Sequence, residues 1–287
     1  MTNDYGNLEL HKILLSAMKD IDKICRENGI TYFLDAGTLL GAVNHAGFIP
    51  WDDDVDITML RTEYERFVKI IKTEYKDKYY MQTYESDPYY RNNRAVLRVL
   101  GTRLKYNHST KYLRHTEIGL DIVPLYYAPK TRIMQNIQHG LIWMLDAAVQ
   151  VKYGDIIPQR TLTKCLKIPA LLPRKFLGKC MDFVMKSMQS KKSELIGILC
   201  NMYRSPYNGL NGYDNDMMPR EWYENTKEIL FENQMFMTVC EPEKNLIRRY
   251  GPHYAEPYPE EKRITKHDVD SYEISKQVRE RIQKEFG

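Results

Sequence analysis

A cluster of aspartates at the start of an alternating run, residues 52–60, constrains the fold more than any other segment. From Asp54 to Leu60 polar and apolar residues alternate, which is the pattern of a β-strand that buries one face. Asp54 and Asp56 would then share the polar face, while Val55 and Ile57 would face the core. The sequence therefore predicts a strand that carries two carboxylates side by side.

Two carboxylates on one face of a strand repel each other, and this repulsion raises the pKa of one of them. A divalent cation between them relieves the repulsion, and hard oxygen ligands favour Mg²⁺, with Mn²⁺ as the alternative. Asp53 lies within reach of the same ion, whereas Asp52 is expected to shape the loop. A solvated Asp-rich turn is the alternative interpretation of the cluster.

A third carboxylate is expected on a neighbouring strand, where it would complete the metal site or accept a proton from the nucleophile. Asp121 is the best candidate, because it is the one acid within the apolar run Ile118–Leu125. A buried Asp is rare unless it is paired or bound to a metal. The alternative is an acid that only makes hydrogen bonds in the core.

A glycine-containing turn, Ala36–Gly41, follows one predicted strand and opens a predicted helix. Backbone N–H groups at a helix start bind anions, and the Thr38 hydroxyl adds a donor next to Gly37. A phosphate cradle that faces a pair of carboxylates is the arrangement that phosphoryl and nucleotidyl transfer require. These two segments together predict metal-dependent chemistry on a phosphate.

Helical and strand patterns alternate along the first part of the chain, which predicts a mixed α/β (α+β) fold. Thr62 and Glu65 match a capping box, so a helix is expected to begin there and to run to about Tyr75. The other predicted elements are helices at Leu8–Cys25 and Thr38–Val43 and strands at Ile30–Leu34, Asp54–Leu60, Tyr79–Tyr84, Arg94–Leu100 and Ile118–Leu125.

Residues 131–190 differ from this pattern, because apolar and basic residues recur there at helical spacing between prolines. They predict a helical insertion within a single catalytic domain that spans residues 1–287. The stretch 168–185 suits an anionic membrane surface, or else a helix that packs on the core with its Lys and Arg in solvent. The last hundred residues are rich in Tyr, Pro and Asn and predict loops, with helix returning only at Ile274–Phe286.

Composition excludes several classes of protein. The 42 basic and 38 acidic side chains leave a net charge of +4, which is too mild for a nucleic-acid binder. The five cysteines are scattered and never occur at CxxC spacing, so neither a zinc site nor a disulfide framework is indicated. Without a signal peptide or a membrane-spanning run, the expected location is the cytoplasm, with peripheral contact at the inner face of the membrane.

The run Leu34–Ile57 closely resembles the signature of the LicD family, which comprises phosphocholine transferases and related enzymes and shares its domain with fukutin-type proteins. More broadly, the glycine turn, the Asp-x-Asp strand and the third acid fit the nucleotidyltransferase superfamily. Further segments that carry the resemblance are Leu97–Thr102, Gly119–Leu125, Arg249–Tyr254, Pro257–Arg263 and His267. Departures from the family pattern occur at Tyr126, Cys240 and Tyr258.

The resemblance implies a nucleotidyltransferase-like core that transfers a phosphoalcohol, such as phosphocholine, from a CDP-linked donor to a glycan hydroxyl. The acceptor would be a lipopolysaccharide, teichoic acid or capsule precursor, or a lipid-linked oligosaccharide. The implied metal ligands are Asp54, Asp56 and Asp121, with Asp121 as the alternative general base. The implied donor-binding residues are Gly37, Thr38, Arg98, Arg263 and His267.

Two other functions fit the same residues. A nucleotidyltransferase would use an NTP to activate a sugar or an alcohol with the same carboxylates. A homologue without activity would serve as a scaffold of a glycan-synthesis complex, although the intact Asp54, Asp56 and Asp121 argue against it. The identity of the alcohol and of the acceptor sugar depends on pocket residues that no sequence period reveals.

Overall fold

The mixed α/β architecture predicted from the sequence is confirmed in the computed structural model. The structure describes residues 7–106, 114–154, 165–199, 212–257, 259, 263 and 269–287. The chain divides into two units, one made of residues 1–81, 95–124 and 222–287, and the other of residues 82–94 and 125–221. The aspartate cluster belongs to the first unit and the predicted helical insertion to the second.

Helices and strands are each numbered in chain order. Up to residue 127 they are α1 (Leu8–Glu27), β1 (Phe33–Leu34), α2 (Ala36–His45), β2 (Asp56–Leu60), α3 (Arg61–Glu74), β3 (Tyr79–Gln82), β4 (Ala95–Val99), β5 (Thr102–Tyr106) and β6 (Gly119–Tyr127). Beyond it they are α4 (Arg132–Tyr153), α5 (Arg174–Ser187), β7 (Leu195–Ile198), α6 (Gly212–Asp216), β8 (Met217–Pro219), β9 (Thr226–Phe231), β10 (Gln234–Val239), α7 (Pro242–Tyr250), β11 (Val269–Ile274) and α8 (Lys276–Phe286).

The sheet of the first unit has the strand order β1-β2-β6-β4-β3. Strand β2 runs antiparallel to β1, with Leu34 opposite Ile57, and β4 runs antiparallel to β6, with Val96 opposite Asp121. The Asp121 N–H donates to the Val55 carbonyl at 2.8 Å. The backbone of Asp121 is therefore held directly beside the residue that separates Asp54 from Asp56.

Helix α1 is amphipathic and supplies much of the apolar packing of this unit. Its Ile13, Leu14 and Ile21 are completely buried, and each such side chain stabilises the fold by roughly 1.5–3 kcal/mol. Polar contacts fix its other face, since the Ser16 hydroxyl donates to Glu285 of α8 at 2.7 Å. Helix α1 is thus held both by its apolar side chains and by a polar contact with α8.

The second unit packs α4, α5 and the β7–β8 pair around a separate core, and the end of β6 pairs with β7. Arg174 of α5 is buried there and donates to the carbonyl oxygens of Tyr90, Arg91 and Asn92 at 2.9 Å. These bonds fasten the segment 82–94 to the helical residues. The core cluster consists of Tyr126, Ala128, Ile142, Met181, Met185, Leu199, Tyr213 and Met217.

Helices account for most of the described part of residues 131–190, as predicted, with short 3-10 turns at Cys165–Lys167 and Pro169–Leu171. Residues 155–164 lie outside the described residues. Along the described chain no helix is both long enough and apolar enough to cross a bilayer.

The start of β2 differs from the prediction. The strand begins at Asp56, so Asp54 lies in the preceding loop and not on the strand. Val55, Ile57 and Met59 are buried as expected, but Thr58 is buried too. The strand face that carries Asp56 is therefore half-buried at Asp56 and buried at Thr58.

The capping box was also predicted wrongly. Helix α3 begins at Arg61, immediately after β2, and no side chain caps its N-terminus. Thr62 lies within the first turn, because the chain passes from strand to helix without a loop. A local capping pattern cannot show where the preceding strand ends.

The prediction that the last hundred residues form loops was wrong as well. They contain the antiparallel hairpin β9–β10 and helix α7. The hairpin turns at Glu232 and Asn233, both with positive φ, and this pair lacks the glycine that usually marks such a turn. Helix α7 had a signal that was overlooked, namely Pro242 in its first turn followed by Glu243.

Gly41 of α2 is expected to tolerate no side chain. A Cβ atom there would lie 2.5 Å from the Gly47 carbonyl oxygen and 3.2 Å from the Ile49 nitrogen, both backbone atoms. We expect Gly41→Ala to lower the free energy of unfolding by about 1–3 kcal/mol, measured by chemical denaturation. Gly140→Ala in α4 is the matched control, because nothing lies within 4 Å of its Cβ position. It should stabilise the protein by up to about 1 kcal/mol, and a similar gain at Gly41 would refute the close approach.

Candidate functional site

The loop between α2 and β2 carries the aspartates and is held from both sides. On the α1 side, His11 Nε2 donates to the Asp52 carbonyl oxygen at 2.7 Å, and the His11 ring stacks on Phe48 with centroids 4.2 Å apart. Burial lowers the pKa of His11, so the imidazole is neutral at pH 7 and donates as required. The loop backbone at Asp52 is thereby fixed without an added charge.

The turn of the β9–β10 hairpin holds the other side of this loop. The Glu232 N–H donates to the Ala46 carbonyl at 2.8 Å, and the Phe48 N–H donates to Glu232 Oε1 at 3.2 Å. A Cβ atom on Gly47 would lie 2.2 Å from the same carboxylate oxygen. Sequence reasoning missed Glu232, because it lies far from the aspartates along the chain.

Asp52, Asp53 and Asp54 form the acidic group of the site. Each offers a carboxylate oxygen such that the three atoms lie within 4.8 Å of one another. Asp52 is buried, whereas Asp53 and Asp54 are half-buried. Three carboxylates this close repel one another strongly, and their oxygens form a hard donor set that fits Mg²⁺ or Mn²⁺.

This arrangement overlaps only partly with the predicted ligand set. Asp54 is common to both, and Asp53, predicted as a further ligand, lies in the group together with Asp52. Asp56 and Asp121 are half-buried on adjacent strands but are not members of the three-residue group. The assignment of Asp54, Asp56 and Asp121 as the metal ligands stays a prediction.

Thr38 ties the start of α2 to the start of β2. Its Oγ1 accepts a hydrogen bond from the Asp56 N–H at 2.8 Å, and the side chain is buried. The Asp35 N–H in turn donates to the Asp56 carbonyl at 3.1 Å. The Thr38 hydroxyl therefore positions Asp56, independently of the predicted contact with a phosphate.

The N-terminus of α2 approaches the acidic group at Gly37. A Cβ atom on Gly37 would lie 2.8 Å from Asp52 Oδ2, so the glycine makes room for this carboxylate. The positive end of the helix dipole stabilises an anion there. The predicted anion-binding turn and the acidic loop are thus neighbours in space.

Asp35 forms a buried ion pair that sequence reasoning missed. It occupies the N-cap position of α2, and Arg249 Nη2 of α7 lies 3.1 Å from Asp35 Oδ1 and 3.2 Å from Oδ2. Both side chains are at most 10% exposed. The two residues belong to separate segments of the family resemblance, which was the one signal able to link them.

Arg98 lies on β4, which pairs with β6, the strand that carries Asp121. It is opposite Gly119 in the register, and its Nη1 donates to the Glu117 carbonyl at 2.8 Å. A Cβ atom on Gly119 would lie 2.9 Å from the same nitrogen. The glycine therefore lets the guanidinium rest on the strand two residues before the predicted third acid.

Trp51 and Arg263 meet beside the acidic loop. The Arg263 guanidinium carbon lies 5.3 Å from the centroid of a Trp51 ring, and His45 approaches Trp51 edge-on at 6.5 Å. His267, predicted with Arg263, lies outside the described residues.

Comparisons with known proteins agree with the resemblance. A family model described as "LicD/FKTN/FKRP, nucleotidyltransferase domain" matches residues 29–163. The lipopolysaccharide cholinephosphotransferase LicD of Haemophilus influenzae is 27% identical over 268 residues, which cover 92% of this chain and 97% of that protein. An uncharacterized protein of Rickettsia typhi is 43% identical over 58 residues, 20% of this chain and 19% of its own length. One of Rickettsia prowazekii is 40% identical over 72 residues, 25% of this chain and 27% of its own length.

The Asp35–Arg249 pair generates a stability prediction. Arg249→Met would leave the Asp35 carboxylate buried without its counter-charge, so we expect a loss of about 3–5 kcal/mol in the free energy of unfolding. Lys244→Met in the same helix is the matched control, since its ion pair with Glu241 is exposed, and it should cost less than about 1 kcal/mol. Equal losses in the two variants, measured by chemical denaturation, would show that the buried pair has no special role.

Proposed function

Because the chain belongs to the LicD family, we propose that it is an enzyme that transfers a phosphoalcohol, phosphocholine or a similar group, from a CDP-activated donor to a glycan hydroxyl. The acceptor class is a cell-surface glycan precursor such as lipopolysaccharide, teichoic acid or capsule, free or lipid-linked. Support for the acceptor comes from the name of the Haemophilus relative, which acts on lipopolysaccharide.

The observation that carries the proposal is the acidic group beside the N-terminus of α2. Asp52, Asp53 and Asp54 supply a donor set for a divalent cation, and Gly37 brings the helix start to the Asp52 carboxylate. A bound Mg²⁺ would neutralise charge on the donor diphosphate. The helix start, with Gly37 and Thr38, would bind a donor phosphate through backbone N–H groups.

The proposed reaction is a displacement at the β-phosphorus of the donor. The acceptor oxygen forms a new bond to this phosphorus while the bond to the CMP oxygen breaks, and CMP leaves with the electron pair. We assign Asp121 as the base that accepts the hydroxyl proton, because it lies on the strand next to β2 and is half-buried. Arg98, Arg263 and His267 would contact donor phosphates, where a guanidinium binds in bidentate fashion.

Two alternatives make different predictions from the same residues. A nucleotidyltransferase that activates a sugar or alcohol with an NTP would release pyrophosphate from CTP. A scaffold without activity would leave cellular glycan modification unchanged in an Asp56→Asn strain. Either result would refute phosphoalcohol transfer.

One prediction from this proposal concerns the donor. Purified protein with Mg²⁺ and an acceptor glycan is expected to release CMP from at least one of CDP-choline, CDP-ribitol and CDP-glycerol. Asp54→Asn and Asp56→Asn should each lower the rate by roughly 10²–10³-fold, the scale of losing one electrostatic contact in the transition state. EDTA should stop the reaction and added Mg²⁺ or Mn²⁺ should restore it. Asp77→Asn, an exposed acid outside the site, is the control that should keep full activity.

A further prediction distinguishes the residues that bind the metal from the residue that acts as general base. If the loop aspartates hold the ion, Asp53→Asn should weaken Mn²⁺ binding, measured by titration calorimetry or electron paramagnetic resonance, by at least about tenfold. Asp121→Asn should then keep Mn²⁺ binding but lose roughly 10²–10⁴-fold in rate, the contribution of a general base. Loss of Mn²⁺ binding in Asp121→Asn with retention in Asp53→Asn would instead support the ligand set Asp54, Asp56 and Asp121.

A further inference from the structure

The first half of helix α4, in the second unit, buries two amides and exposes several apolar side chains, although Ile142 lies in the core. Its buried face contains Gln135, which donates to the Pro129 carbonyl at 2.9 Å, and Gln138, which accepts from the Tyr213 hydroxyl at 2.9 Å. From Ile133 to Met144 most of its exposed side chains are apolar, with Asn136 exposed as well, and Ile133 is 73% exposed. The exposed large apolar side chains of α4 are Ile133, Met134, Ile137, Leu141, Trp143 and Met144.

An aqueous environment does not account for this helix. Between Arg132 and Asp146 the sequence contains no Asp, Glu, Lys or Arg. A helix on the surface of a globular protein normally turns its polar residues outward and its apolar residues toward the core. Here the Gln135 and Gln138 amides are buried and bond to Pro129 and Tyr213, while most of the large exposed side chains are apolar. Such a surface marks a site of contact with an apolar phase or a partner.

The elements that pack on α4 expose apolar groups as well. The 3-10 turns at Cys165–Lys167 and Pro169–Leu171 and helix α5 all contact α4. Leu171 is 81% exposed, and Phe176 and Phe183 of α5 are 52% and 70% exposed. The exposed apolar residues thus occupy three neighbouring elements of one unit, and we call them the apolar surface.

Positive charge accompanies this apolar surface. Within residues 165–192 every exposed charged side chain is a lysine, namely Lys167, Lys175, Lys179, Lys186, Lys191 and Lys192. The one acid in that range, Asp182, is half-buried and accepts hydrogen bonds from Tyr84 and Asn93. On α5 aromatic and basic residues therefore alternate along the outer face as Phe176, Lys179 and Phe183.

We propose that the apolar surface of the second unit lies on an anionic phospholipid membrane. Apolar and aromatic side chains would enter the boundary between headgroups and acyl chains, while the lysines would pair with lipid phosphates at the same depth. A negative surface potential attracts such basic segments. No described helix crosses a bilayer, so the contact is peripheral.

Charge favours a lipid surface over a second copy of this chain. Pairing two copies through this surface would bring lysines against lysines, whereas anionic headgroups neutralise them. The proposal concerns membrane attachment and does not depend on the transfer reaction. Its failure would leave the proposed chemistry intact.

The binding experiment uses the full chain and vesicles of defined composition. We expect the protein to float with vesicles of phosphatidylglycerol and phosphatidylethanolamine, and at least about tenfold less with pure phosphatidylcholine vesicles. Phe176→Gln combined with Phe183→Gln, and Lys175→Gln combined with Lys179→Gln, should each lower flotation at least about tenfold. Glutamine keeps a good helix propensity, so the helix is retained, and near-UV circular dichroism checks the fold of each variant.

The matched control replaces exposed apolar residues elsewhere. Leu230→Gln combined with Met235→Gln changes a cross-strand pair on the β9–β10 hairpin, and both side chains are 46% exposed. This variant should float as well as the unchanged protein. Equal losses in the control and the α5 variants would show that exposed apolar groups act without regard to place, and would overturn the proposal.

The fluorescence of Trp143 can report directly whether the apolar surface inserts into the membrane. It is half-exposed on the apolar surface, whereas Trp222 is buried and Trp51 packs against Arg263. Adding the anionic vesicles should shift tryptophan emission to the blue, and Trp143→Phe should remove that shift while flotation persists. Flotation without any shift at Trp143 would place the contact elsewhere. A dimer in the absence of vesicles that Ile137→Gln dissociates would assign the surface to a second copy and refute the membrane.

Discussion

Electrostatic repulsion among the carboxylates of Asp52, Asp53 and Asp54 is the constraint on which the site depends. A loop with three adjacent acids would separate them if it were free to move. Here it is held by neutral groups among others, because His11 bonds the Asp52 carbonyl and the Thr38 hydroxyl fixes Asp56. Gly37 makes room for the Asp52 carboxylate, and Gly41 allows the backbone at Gly47 and Ile49 to approach α2. The loop thus keeps three carboxylates close together, and a bound cation would neutralise their charge.

Sequence patterns predicted the elements around the site because those patterns are local. Alternation identified β2, since one face of that strand is buried, and it placed Val55 and Ile57 in the core. Alternation could not fix where the strand begins, so Asp54 was assigned to the strand although it lies in the loop. Contacts such as Asp35 with Arg249, or Glu232 with Phe48, join residues about two hundred positions apart. No spacing rule reaches that far, and only the family resemblance connected some of those segments.

Helix α4 illustrates a different limit. Helical periodicity correctly indicated helix in the segment 131–190, but several apolar residues of the first half of α4 face outward while Gln135 and Gln138 face inward. The buried Gln135 amide donates to Pro129 and the buried Gln138 amide accepts from Tyr213, and these bonds offset part of the cost of burying them, although Gln138 Nε2 has no hydrogen-bond partner among the described residues. Periodicity shows that a helix has two different faces. Which face is buried depends on partners that are distant in the chain.

The clamp on the aspartate loop also sets the order in which the site can form during translation. A nascent chain that has reached residue 231 already contains every aspartate of the site, yet it lacks both Glu232 and Arg249. The loop lacks its contact with Glu232 until the β9–β10 hairpin has been synthesised, and Asp35 lacks its counter-charge until helix α7 follows. Such distant contacts form late because their closure entropy must be met first. The acidic loop can therefore take up the geometry described here only after residues 232–249 have been synthesised.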